Sequence, residues 1–139
     1  MTNFEDVGRF HEKFELPVAN GEIRQLPQDL LDFRVRFLKE ELAEFVSAMP
    51  SWTTPADHAK MFDALLDLVY VALGTAHLLG YPWEQGWNLV QAANMAKVRA
   101  LRPEDSKRGS AWDVVKPPGW TAPDIEGLLA NIPKVEFNQ

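Results

Sequence analysis

The sequence predicts an all-α fold, a bundle of four to five helices, on three observations. Apolar residues recur at helical spacing along the chain and nowhere alternate as they would in a half-buried strand. Residues that start and stop helices fall at the ends of those periodic stretches. No internal repeat or low-complexity segment interrupts them. At 139 residues and 46% hydrophobic content the chain is long enough for one real core and too short for two ordinary ones. Residues 1–139 therefore read as a single domain.

The elements follow in order. A first helix covers about Phe4 to Phe14, and "ELPVANGEIRQLP", with Pro17, Gly21 and Pro27, reads as a loop. The second helix runs from about Gln28 to Met49 and stops at Pro50, which cannot continue it. Thr54 then supplies a capping hydroxyl and Pro55 a first helical residue, starting a third helix that runs to Leu79. Gly80 suits the left-handed residue after that helix, and Pro82 opens a fourth that continues to about Ala100. From Leu101 to Ala122 the chain carries Pro103, Gly109 and "KPPGW" with no clear period. Loops of that length in compact domains are usually functional or disordered. A short helix from about Pro123 to Ala130 closes the list of elements.

Composition removes several function classes. Without cysteine there is no disulfide scaffold, thiolate metal site or cysteine nucleophile, and the cytoplasm is the default compartment. The N-terminal "MTNFEDVGRF" has no basic region followed by an apolar core, so it is not a secretory signal. The most apolar run, Ala64 to Leu79, is too short to span a bilayer and is broken by Asp67 and His77, which reads as a soluble chain with no membrane partner. A net charge of −6 argues against binding duplex nucleic acid, which needs a field that attracts phosphates. The basic residues are nonetheless concentrated: Lys97, Arg99, Arg102, Lys107, Arg108 and Lys116 lie within twenty residues that hold only three acids. A small polyanion fits there.

The acidic residues carry the chemistry. In "FLKEELAEF" the helical turn of about 100° per residue sets Glu44 between Glu40 and Glu41, within one arc of about 100°. Leu31, Val35, Leu38, Leu42, Phe45, Val46 and Met49 fall opposite and read as the core stripe. The three glutamates are either a solvated face or half of a site. Phe33 and Phe37 on their side, and the absence of a lysine or arginine four residues after any of them, weaken the first reading. In the third helix, "DALLDLVYVALGTAHLLG" is apolar almost all round and reads as buried, yet it holds Asp63 and Asp67 on one side. A buried carboxylate needs a charged partner or a metal. Arg34 or Arg36 would serve as the partner, but a metal accounts for more of the pattern.

Five carboxylates on two helices, with no cysteine and no histidine at ligand spacing, describe an oxygen-only site suited to Mg²⁺ or Mn²⁺. A di-iron bundle of ferritin type needs a histidine three residues after a glutamate on two helices. Gly8, Pro55 and Gly74 precede the three histidines at that distance, so that site is excluded, and His58 and His77 read as packing or surface residues.

"EELAE" at Glu40 to Glu44, "DALLDLVYVALGTAHLLGYP" and "ANMAKVRA" at Ala93 to Ala100 together resemble the all-α nucleoside triphosphate pyrophosphohydrolases. The likeness is to the MazG-like, phosphoribosyl-ATP-pyrophosphohydrolase-like proteins of phages and bacteria, over about residues 28 to 126. The resemblance implies hydrolysis of a nucleotide between its α- and β-phosphates to a monophosphate and pyrophosphate, for house-cleaning of a nucleotide pool. It implies metal ligation by Glu40, Glu44 and Asp67, with Asp63 joining them. Glu41 is the candidate to orient or deprotonate the attacking water. Asn94 and Lys97 take the family's nucleotide or phosphate contacts, and the family's paired subunits imply a homodimer or homotetramer.

The sequence departs from the superfamily pattern at one point: the first acid of its ExxD is Ala64, while Asp63 lies one residue earlier. Lys107, Arg108 and Lys116 either close over the phosphates from the long loop or form a solvated basic surface. Trp83, Trp87, Trp112 and Trp120 read as core or subunit interface sooner than as a base-stacking site. Two other classes stay open, a helical nucleotide-binding or regulatory module without turnover and a plain interaction bundle. Phosphoribosyl-ATP is the alternative to a nucleoside triphosphate as substrate.

Overall fold

A computed structural model describes residues 1–137 of the chain. In chain order the elements are α1 (Asn3–Lys13), β1 (Ile23–Gln25), α2 (Gln28–Ala48), α3 (Pro55–Leu79), α4 (Trp83–Met95), β2 (Val98–Arg99), β3 (Val114–Val115), α5 (Ile125–Ala130) and β4 (Lys134–Glu136). Short 3₁₀ turns occupy Met49–Ser51 and Pro103–Asp105. The fold is helical, as predicted. Within the described residues the chain gathers into two compact units, one of Met1–Pro82 with residues 132–137, the other of Trp83–Asn131.

In the first unit α2 packs along α3, and α1 packs on α3. The helix ends have local causes. Thr2 accepts from the backbone N–H of Glu5 while Glu5 accepts from that of Thr2, a capping box that starts α1. Thr54 accepts from the N–H of Asp57, with Pro55 at the first helical position of α3. Gly80 ends α3 at φ 78°, and a Cβ there would clash with the carbonyl oxygen of Glu22, so both backbone conformation and space demand glycine. The residue touched by that close approach precedes β1, which pairs in parallel with β4, Ile23 opposite Lys134.

The inward face of α2 differs from the expected one. Glu41, Arg34 and Ala48 are its buried residues, seven apart and therefore on one line of the helix. Val35, Leu42, Val46 and Met49, four residues of the predicted core stripe, are exposed, Leu42 to 51%. The helix is rotated by about a quarter turn from the orientation its apolar residues suggest. The polar interior is satisfied at Arg34, whose guanidinium donates to the Thr75 hydroxyl at 3.0 Å and the Val71 carbonyl at 2.8 Å.

The third helix is corrected in the same sense, for it is not buried all round: Phe62, Leu65, Leu66, Val69 and Tyr70 are exposed. It has 25 residues, and its most apolar 18-residue stretch has a mean hydropathy of 1.5, long and apolar enough to cross a membrane by length and composition, but it is the helix on which α1 and α2 pack.

Below α3 lies a pair of buried histidines. The Nδ1 of His77 accepts from the N–H of Ala19 at 3.1 Å, so its Nε2 carries the proton and donates to the carbonyl of Phe4 at 2.8 Å. Its ring also stacks on Phe4 at 3.7 Å. His11 sits 5.4 Å from His77 between ring centroids, with Nδ1 2.7 Å from the carbonyl of Pro17. His77 is thus a packing residue, as expected, and His58 lies at the surface edge-on to Trp52.

In the second unit the fourth helix stops five residues earlier than its pattern suggests. Val98 and Arg99 leave the helix to pair antiparallel with Val115 and Val114, and the N–H of Ala100 donates to the carbonyl of Asp113 at 2.9 Å. This hairpin gives the expected loop its form. Ser106 donates to Asp113 at 2.6 Å, and Arg108 donates to both oxygens of the same carboxylate at 3.0 Å.

Candidate active site

The clustered acids of the first unit stand on α2 and α3. Of the three clustered glutamates, Glu41 lies at the centre of the face that α2 presents to the core and is only 8% exposed, whereas Glu40 and Glu44 are exposed. The Oε2 of Glu41 is buried without a hydrogen-bond partner. Burial first, then the negative charges of Glu44, Asp67 and Asp63, hold its carboxyl above the usual carboxylate range. Carboxylates from two helices therefore share one field, with Glu41 at its most buried point.

The surroundings sort the other acids. Glu44 and Asp63 line a cleft of about 450 Å³ together with Asp57, Lys60 and Ser47. Asp67, half-buried, borders a separate and mainly apolar cavity of about 330 Å³ with Phe62, Leu66 and Tyr70. Arg34 does not neutralise Asp67, since its bonds go to Thr75 and Val71, and among the described residues Asp67 has no ion pair. Ala64, where the superfamily carries an acid, is 1% exposed in the packed interior, while Asp63 faces the cleft. The packing thus closes the usual position and opens its neighbour. Lys60, a cation in the acidic cleft one turn before Asp63, was not singled out in the sequence, where it reads as an ordinary solvated lysine.

Oxygen donors of this kind suit a hard divalent cation, and the orphaned Oε2 of Glu41 is an acceptor that lacks the positive partner its burial calls for. Among the described residues no three acids or histidines converge into a finished metal cage. The fit rests on the donor chemistry and on the unpartnered Oε2 of Glu41.

The second unit carries its own cluster of basic residues. Asn94 is in the last turn of α4, exposed, and its carbonyl accepts from the N–H of Lys97 at 3.1 Å. Lys97, assigned a nucleotide or phosphate contact by the resemblance, lines one cavity of about 450 Å³ with Lys107, Arg108 and Lys116, the candidates to close over phosphates, and with Asp105 and Asp113. Asp113 is held below the usual carboxylate range, first by the hydrogen bond from Ser106 and then by that from Arg108. Trp120 donates from Nε1 to the carbonyl of Ala93 at 2.7 Å, and the ammonium groups of Lys97 and Lys116 stand 5.3 and 4.9 Å from its ring centre. Trp112 is 86% exposed beneath the guanidinium of Arg99, and Trp83 stacks on the half-exposed Trp87.

The family of phosphoribosyl-ATP pyrophosphohydrolases matches residues 7–94. The chain belongs to that family. It is therefore a member of the all-α nucleoside triphosphate pyrophosphohydrolase superfamily and a hydrolase that acts on acid anhydrides. A comparison with curated proteins finds no match. For a pyrophosphohydrolase the matched stretch is informative in its extent: it takes in both acid-bearing helices and ends at Asn94. Lys97, Lys107, Arg108 and Lys116 lie beyond it.

Proposed function

We propose that the chain hydrolyses a nucleoside triphosphate to the monophosphate and pyrophosphate with Mg²⁺, or Mn²⁺ in its place, as a house-cleaning enzyme of the cytoplasmic nucleotide pool. The observation that carries this reading is Glu41, a buried carboxylate with an unpartnered oxygen, set in the field of Glu44, Asp63 and Asp67 within the region matched to the family. Glu40, Glu44, Asp63 and Asp67 would hold the cation, which supplies neutralisation of phosphate charge and polarisation of the P–O bonds.

Glu41 takes a proton from the attacking water. Its place at the buried centre of the acidic face, with one oxygen free of hydrogen bonds, suits this task. The water oxygen bonds to the α-phosphorus, the bond to the bridging oxygen breaks, and that oxygen leaves with the pyrophosphate. Asn94 and Lys97 bind the nucleotide, and Lys107, Arg108 and Lys116 contact its phosphates. Cations that stabilise the charge spread over transferring phosphoryl oxygens account for much of catalysis in this class of reaction.

The description of the matched family favours a second substrate, phosphoribosyl-ATP, which presents the same polyphosphate. Pyrophosphate release from a panel of nucleotides with Mg²⁺ separates the two. Release from no member of the panel, with nucleotide binding intact, would turn the chain into a binding module without turnover, the reading that Ala64 favours. We also place the enzyme in a homodimer or homotetramer, on the exposed Leu42 and Val46 of α2 and Phe62, Leu66 and Val69 of α3.

A further inference from the structure

We infer that the second unit is a pyrophosphate-binding site in its own right, and that Trp120 is the positioning residue on which it is built. The inference rests on the reading of the chain as a working pyrophosphohydrolase, which makes pyrophosphate a product whatever the nucleoside.

The cavity's charges are unequal in their partners. Asp105 is paired with Arg102 at 3.2 Å and Asp113 with Arg108 at 3.0 Å, so both of its carboxylates are already neutralised. Lys97, Lys107 and Lys116 have no ion pair among the described residues. Three ammonium groups without ion pairs, from three separate stretches of chain, therefore line an open cleft of about 450 Å³. A single phosphate group carries about two negative charges, fewer than these lysines offer, and two linked phosphoryl groups match them better.

A solvated basic surface would let its lysines spread apart. Here two are gathered on one ring: Lys97 and Lys116 both lie over Trp120, so their nitrogens stand within about 10 Å of each other. That is no more than the Debye length in about 0.1 M salt, and they repel. Attraction to the indole face offsets the repulsion, and the bond from Nε1 to the carbonyl of Ala93 fixes the ring that gathers them. An anion placed in the cavity relieves what remains. Trp120 and its two lysines lie beyond the stretch matched to the family, which ends at residue 94, one residue after the Ala93 carbonyl that holds the ring.

The test is calorimetry on the full chain, free of divalent metal, with inorganic pyrophosphate as titrant and orthophosphate and AMP as controls. Pyrophosphate is expected to bind about tenfold or more tightly than either control. Trp120→Leu should weaken it about tenfold, the effect of losing two cation–π contacts, and Trp120→Phe, which returns a ring without the bond to Ala93, should restore part of the loss. If Trp120 acts through its lysines, Trp120→Leu added to Lys97→Met/Lys116→Met should change nothing further. This cycle also serves if Trp120→Leu alone folds poorly, since Trp120→Phe can be compared in both backgrounds. No pyrophosphate binding, equal binding of orthophosphate, or full affinity in a folded Trp120→Leu would overturn the inference. Nucleotide hydrolysis without pyrophosphate binding would sink the inference and leave the proposed function standing. Pyrophosphate binding with no hydrolysis of any nucleotide would uphold the site and remove the enzymatic reading.

Discussion

Glu41 shows what a single residue can and cannot announce in a sequence. Its place in an acidic arc with Glu40 and Glu44 is legible from spacing alone, but its burial is not, because the apolar residues around it point the core stripe a quarter turn away. The packed face instead runs through Arg34, Glu41 and Ala48, and polar side chains at two of three positions hide it from any hydrophobic pattern. The expected consequence is chemical: Glu41→Gln should lower kcat by about 10²- to 10⁴-fold while metal-dependent nucleotide binding persists, as steady-state kinetics and titration calorimetry would show. Retained turnover would rule it out as the base. Asp63→Ala addresses the departure at Ala64. If Asp63 has taken over the ligand role, Mg²⁺ affinity should fall at least about tenfold, and an unchanged affinity would exclude it.

At the scale of elements, the long helices were readable because their caps are local: Thr54 with Pro55, Gly80 after Leu79. The strands were not, since each has two or three residues, too few for an alternating pattern, and their partners are remote in sequence. Gly80→Ala should destabilise the first unit by about 1–3 kcal/mol from backbone strain alone, with the contact at Glu22 adding to it, measurable by denaturant unfolding. The junction of α1 with α3 also sets a pH dependence. His77 and His11 are held below the usual histidine value, in each case mainly by burial. Their unfolded forms bind protons more readily, so stability should be full above the ordinary value of 6.5 and decline as pH falls through it. Protonating His77 would set a second donor against the N–H of Ala19, so His77→Gln should flatten the decline in chemical melts between pH 7.5 and 5. An equal slope in the variant would contradict that assignment.

Across the whole molecule, the all-α class followed from periodicity, whereas the division into two units did not, since no break in composition marks Pro82 or Asn131. The exposed apolar rows on α2 and α3 belong to this scale as well. A long apolar run reads as core in a sequence whether it packs inside one subunit or between two. Leu42→Glu with Leu66→Glu should yield a monomer in sedimentation velocity if those rows join subunits, and an unchanged sedimentation coefficient would remove them from the interface.

The parallel pairing of β1 with β4 sets an order in time. Residues 23 and 134 bracket the entire second unit, so the first unit encloses the other within its own chain. On a ribosome adding about 5–20 residues per second, β1 waits roughly 5–20 s for its partner to be made. For that interval the helices must hold together without their last strand. Trp83–Asn131 emerges complete while the segment that came before it is still unfinished.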